Sequence, residues 1–278
     1  MPLSSYDRVR DASSAPPRGL TPLADGLRQR DPDHYLTALF APPARREALF
    51  ALYAFDHELA RARAVTREPV VALMRLAWWR EVVEGAARAH EVAAPLGAAL
   101  AAGLLVREDL LAVIAAREIE AESEIATLAD WRAWLFGSTG GVAVAAGRLL
   151  GAPAPEALRP LGAAWGAASV LRGVAAAARQ GRCLLPVETL AAHGLSAEAV
   201  TAAPDAPALA AVRAALAATA VAWLPAQTFR LPRAAIAAAL PAVLARRDLA
   251  REAMVPAAAR GLGDRLAVLR AGLRGRLK

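Results

Sequence analysis

Residues 44–80 repeat apolar side chains at the spacing of one helix face, then meet a proline, and this alternation of helical stretch and break limits what the chain can form. Leu49, Leu52, Tyr53, Leu59 and Ala60 fall on one stripe. Pro69 ends the pattern, because the residue before a proline is pushed out of helical backbone. Val71, Met74, Trp78 and Val82 then form the stripe of a second helix. No stretch sustains the two-residue alternation of a half-buried strand, alanine dominates, and aromatics are only 5% of the chain. The predicted class is all-α. The 278 residues, 56% hydrophobic and 21% charged, suffice for a core of one large or two small domains.

Asp31 predicts an N-cap with Pro32 at the first helical position, so the helical domain is expected over residues 31–278. Residues 1–30 carry Ser4, Ser5, Ser13, Ser14, the pair Pro16 and Pro17, and five arginines, and are read as a mobile leader. Asp7, Asp11 and Asp25 speak against a mitochondrial transit peptide, and no apolar run fits a secretory signal. Cys183 is the only cysteine, which excludes an intrachain disulfide and points to a reducing, cytoplasmic setting. His34, His57, His90 and His193 lack paired metal-ligand spacing and are read as surface or helix-end residues. Residues 208–229 are interrupted by Arg213 and Pro225, too short for a membrane span of ~20 residues, and predict a buried core helix.

Acidic residues concentrate at Glu118, Glu120, Glu122 and Glu124, which on a helix split into two faces and are read as a solvated surface. Asp56 is read in the same way, as a solvated or capping charge. Basic residues concentrate at the other end: residues 230–278 hold eleven of them against Asp248, Glu252 and Asp264, a net charge of +8 where the whole chain carries +7. There Leu262, Leu266, Leu269, Leu273 and Leu277 form an apolar stripe flanked by Arg265, Arg270, Arg274, Arg276 and Lys278, the only lysine. The leucines are assigned to the core. The arginines suit an acidic surface, which makes an anionic membrane a candidate partner, whereas nothing in the pattern fits nucleic acid.

Two stretches carry a family resemblance. LFALYAF at residues 49–55, followed by MRLAWWREVVEG at 74–85, resembles the opening of the squalene and phytoene synthase family, all-helical enzymes that join prenyl diphosphates head to head. The second stretch, residues 161–186, keeps Arg172, Val174, Arg179, Gly181, Arg182, Leu185 and Pro186 in the frame of that family's second Asp-rich motif. The resemblance implies an isoprenoid synthase type of helical bundle around a central cavity. In the catalytic members acidic side chains of both motifs hold magnesium against the substrate diphosphate. In this chain the first set falls on Ala60, Arg61 and Ala64, and the second on Gly173, Ala176 and Ala177.

Magnesium takes oxygen ligands, usually one or two carboxylates per ion beside substrate phosphates. Alanine and glycine side chains offer none, and arginine repels the cation. Without the metal, ionisation of an allylic diphosphate lacks its main electrophilic help. What stands near those positions is basic. Arg61, Arg172, Arg179 and Arg182, together with Tyr53 and Asp56, form the candidate binding set, either for a prenyl or phospholipid phosphate or as purely structural charges. No catalytic or metal-ligating residue is assigned. The chain further resembles a branch of the family that lacks both motifs and contains an assembly factor of respiratory complex I. That resemblance implies a non-catalytic scaffold, peripheral on the inner membrane and working with a membrane protein complex, without a cofactor. Two alternatives remain open: a head-to-head prenyltransferase using Mg2+ and displaced carboxylates such as Asp56, Glu58, Glu118 and Glu122, or an isoprenoid or lipid-phosphate binding protein.

Overall fold

The computed structural model describes residues 20–66, 68–122, 124–251 and 260–277. Prolines open its first four helices, α1 (Pro22–Arg30), α2 (Pro32–Ala38), α3 (Pro43–Ala64) and α4 (Pro69–Glu84), where the fixed proline φ suits the first helical turn. Next come α5 (Ala93–Ala101), α6 (Arg107–Glu122), α7 (Leu128–Gly137), α8 (Thr139–Leu149), α9 (Arg159–Arg172) and α10 (Val174–Ala178). The chain continues through α11 (Val187–Ala192), α12 (Ala197–Ala202), α13 (Leu209–Val221), α14 (Pro241–Leu249) and α15 (Leu262–Arg274). The strands β1 (Phe229–Arg230) and β2 (Arg276–Leu277) pair antiparallel, Phe229 opposite Leu277. The fold is the all-α bundle expected.

Two helices lie at the centre. In α3, Leu49, Leu52, Tyr53, Phe55 and Leu59 are all buried, and α1, α4, α5, α6 and α8 pack around it. In α9, small residues let α8 approach closely: a Cβ on Gly162 would strike the Thr139 carbonyl and come within 2.6 Å of the Ala143 Cβ. Glycine there sets the α8–α9 spacing.

The structure departs from the sequence reading in several places. The packed body starts at residue 22, not 31, because α1 buries Leu23, Ala24 and Leu27; the rest of the expected leader, residues 1–19, lies outside the described residues. On α4 the buried residues are Ala72, Leu76, Trp79, Val82 and Val83; of the expected stripe Val82 is buried and Trp78 packs partly against the core, while Val71 and Met74 are exposed, because both faces of this run are apolar and spacing alone does not separate them. His34 is buried, although His90 and His193 do sit at helix ends, bonding Val92 N–H and the Thr189 carbonyl. Asp56 and Glu120 are buried rather than solvated, and Glu118 joins Arg80 of α4 at 2.6 Å; the Glu122 side chain lies outside the described residues. Finally, the leucines of α15 face outward. Leu277 is buried, but Leu262, Leu266, Leu269 and Leu273 are exposed, because the helix packs through Asp264, Val268 and Gly272 instead.

Candidate functional site

The chamber between α3 and α9 is filled by aromatic rings. Asp31 caps α2 by accepting from the His34 N–H, and this turn aims the His34 ring inward. There it stacks on Tyr53 of α3, centroids 4.1 Å apart, while the Trp165 ring of α9 meets it edge-on at 5.4 Å. Thr139, Val142 and Ala143 of α8, with Pro241 and Ala242 of α14, close the walls. Among the described residues the space left at this point is about 10 Å³, close to what one water molecule occupies. Burial pushes the Tyr53 phenol well above its ordinary pKa, and the carboxylates of Asp31 and Asp56 push it further.

Beside the rings runs a chain of buried charges. Asp56, only 7% exposed, accepts from Arg117 Nη2 of α6 at 2.8 Å, and the same guanidinium reaches Glu120 through Nη1 at 3.1 Å. Glu120 also accepts from Arg182. Burial disfavours the Arg117 charge, yet the two carboxylates outweigh it and hold its pKa above the ordinary arginine value. Arg182 is aimed there by the turn after α10: Gly181 takes a left-handed φ of +69°, and the Arg182 N–H returns to the Ala177 carbonyl at 3.0 Å. One chain of ion pairs thus joins α3, α6 and the loop that follows α10.

The other arginines of the candidate set go elsewhere. Arg61 bonds Glu58 within its own helix at 3.3 Å, and Arg179 lies on the surface with its Nε on the Ala175 carbonyl. Arg172 donates to Asp248 of α14 at 3.1 Å and stands 3.9 Å from Asp33. Tyr53, Asp56 and, through Glu120 and Arg117, Arg182 therefore share one site, while Arg61, Arg172 and Arg179 do not converge on it. Sequence reasoning missed His34, Trp165 and Arg117; the spacing of Arg117 three residues before Glu120 was the available signal. An open cleft of about 390 Å³ lies outside Arg182, lined also by Arg63, Glu120, Glu124, Cys183 and Glu198. Burial pushes the Cys183 thiol up, against a backbone hydrogen bond from Leu185, with Glu124 and Glu198 adding to the rise.

A family model described as squalene/phytoene synthase matches residues 27–270. The chain belongs to this family. Its fold is similar to that of a dehydrosqualene synthase solved with a ligand, at TM-score 0.68 and 16% identity over 91% of this chain and 94% of that one. A squalene synthase from Alicyclobacillus acidocaldarius gives TM-score 0.60, also at 16% identity, over 91% of this chain and 93% of that one. Among curated proteins, the Drosophila melanogaster homolog of NADH dehydrogenase (ubiquinone) complex I assembly factor 6 is 30% identical over 183 residues, 61% of this chain and 55% of that protein. The Homo sapiens assembly factor 6 is 41% identical over 58 residues, 21% of this chain and 17% of that protein. The chain thus spans about half the length, or less, of these curated relatives.

Against the magnesium site of the synthases, the residues present do not fit. Both sets of motif positions carry alanine, glycine or arginine, and Asp56 and Glu120 already face guanidinium groups. Among the described residues no group of three or more His, Cys, Asp or Glu is placed to hold a metal ion.

Proposed function

We propose that this chain is a non-catalytic member of the squalene/phytoene synthase family, a scaffold that helps assemble a membrane protein complex of the respiratory complex I type, without metal or cofactor. The carrying observation is the interior. Where a prenyl chain would need an open chamber, His34, Tyr53 and Trp165 leave room for about one water among the described residues, while Asp31 is joined to His34 and Asp56 and Glu120 to arginines. The likeness to proteins named as complex I assembly factor 6 supports the choice of partner. No helix among the described residues is long and apolar enough to cross a membrane. In this proposal the scaffold works from the cytoplasmic side, held peripherally on an anionic inner membrane.

Calorimetric titration of the purified protein with magnesium and a farnesyl diphosphate analogue tests the non-catalytic half. No metal-dependent binding is expected; tight magnesium-dependent binding would restore the prenyltransferase reading. Metal-independent binding lost in Arg61→Ala and Arg172→Ala would favour a lipid-phosphate carrier instead. Native gels of membranes from a deletion strain test the assembly half: complex I subcomplexes should accumulate, and a normal complex I band would refute it.

A further inference from the structure

Helix α15 is held to the body by the wrong face for an ordinary amphipathic helix. Asp264 accepts from Arg247 Nε at 2.7 Å and from Arg251 Nη2 at 2.8 Å, and although burial works against its charge these two arginines hold its pKa down at about 2. Arg260, just before the helix, grips Asp33 of α2 at 2.7 Å and Asp248 of α14 at 2.7 Å. Further along, Gly272 lies against the Phe40 ring, where a Cβ would collide, and Leu277 of β2 anchors the end opposite Phe229. Ion pairs, a glycine contact and a strand pair therefore fix which way the helix faces.

The side turned to solvent is leucine. Leu262 is 78% exposed, Leu266 58%, Leu269 45% and Leu273 65%. At 3.6 residues per turn these four fall within about 60° of arc, along a 13-residue helix about 20 Å long. Arg265 stands on one flank of that arc, Arg270 and Arg274 on the other, all exposed. Next to Leu273 the apolar surface continues into an open cleft of about 450 Å³ lined by Leu39, Phe40, Pro43 and Ile236, with Arg233 at its edge. Over residues 260–277 five arginines face a single acidic residue, Asp264, which is itself buried and paired. A narrow apolar line between two basic flanks matches the boundary between acyl chains and anionic headgroups: the leucines enter the hydrocarbon edge and the arginine stems reach back to phosphate. A second copy of the chain would bring the same arginines against one another, which charge disfavours.

We infer that the outward face of α15 is the membrane-docking surface of this protein, lying in the plane of an anionic bilayer with Leu266, Leu269 and Leu273 inserted. The inference rests on the reading that the protein works at a membrane, and it names the element and the lipid class. The test is flotation of the full chain with phosphatidylglycerol-containing vesicles and with pure phosphatidylcholine vesicles, in low and high salt. Binding to the anionic vesicles, weakened by salt, is expected. Leu266→Glu/Leu269→Glu should abolish it with an unchanged melting curve, since both side chains are exposed. Replacing Arg265, Arg270 and Arg274 with glutamine should weaken it on the order of 100-fold, at roughly fivefold per arginine near a charged surface.

Failure of the wild type to float, equal flotation of the leucine variant, or indifference to lipid charge would each overturn the proposal. So would a dimer in sedimentation that the leucine variant dissolves, which would assign the face to a second copy. Because flotation uses only protein and lipid, a negative result leaves the assembly reading to the native gels, and normal complex I in the deletion strain leaves lipid docking standing.

Discussion

Arg117→Met removes the centre of the buried charge chain while keeping most of the side-chain stem. Asp56 then has no other ion-pair partner among the described residues, whereas Glu120 keeps Arg182. Breaking a buried pair from one side leaves an uncompensated charge and costs about 3–5 kcal/mol, far more than the net worth of the intact pair. For a chain of this size each kcal/mol moves Tm by roughly 2–4 °C, so the variant should melt on the order of 10 °C lower. Asp56→Leu combined with Arg117→Met removes both charges and should recover at least about 2 kcal/mol of that loss, since an apolar replacement of a buried pair can be neutral. Urea unfolding followed by circular dichroism measures both, and added magnesium or chelator should leave each curve unchanged. A single variant within about 0.5 kcal/mol of wild type would refute the reasoning, as would a double variant no more stable than the single one.

Three further outcomes follow from the same interior. His34 and Asp31 face each other at 2.6 Å; burial opposes both charges, but their pairing prevails, raising the His34 pKa above 6.5 and lowering that of Asp31 below 3.8. The His34 contribution is complete below about pH 6.5 and fades as pH rises through its folded value, whereas the Asp31 contribution is lost only in acid. Burial lowers the His57 pKa and gives the opposite trend, so the comparison is between wild type and His34→Gln: from about pH 6 to about pH 9 the wild type should lose more stability, and equal losses would count against the pair. Gly162→Ala should cost about 1–3 kcal/mol in urea unfolding, because the Cβ meets a helix carbonyl that cannot step aside. Trp165→Ala should cost about 3–5 kcal/mol and open the chamber, so that farnesol raises the Tm of the variant but not of the wild type.

The helices and their proline boundaries were legible in the sequence because both are local: a repeat of apolar residues and a fixed φ act within a few positions. The partners of Asp56 and Glu120 were not, since Arg117 lies 61 residues from Asp56 and Arg182 lies 62 from Glu120. Nothing in local spacing distinguishes a helical aspartate that meets solvent from one that meets a guanidinium of another helix. Helix α4 was legible only in part: Val82 of its stripe is buried, but Val71 and Met74 are not. Val71 and Met74 are as apolar as Leu76 and Val83, so the pattern could not say which face packs. Helix α15 inverted the usual rule outright: an apolar stripe was assigned to the core, but the core offered Asp264 two arginines and Gly272 an aromatic ring.

The arginines that stand in the frame of the second motif show how the bundle can keep its register without carboxylates at those positions. A magnesium diphosphate would link opposing walls only while it is bound. Arg182 and Arg117 link α3, α6 and the loop after α10 without any ligand, and Arg172 does the same for α9 and α14 through Asp248. Asp248 is also the residue that Arg260 grips, and the Arg260 guanidinium lies 5.8 Å over the Trp165 ring that fills the chamber. The filled interior is thereby continuous with the anchor of α15. Loosening that anchor by Asp248→Asn should free the helix before it unfolds the bundle, so that proteolysis near residue 260 speeds up well below the main melting transition. Cleavage that follows only global unfolding would show that the helix is held by its own contacts alone, and that the interior does not set the direction in which the leucines face.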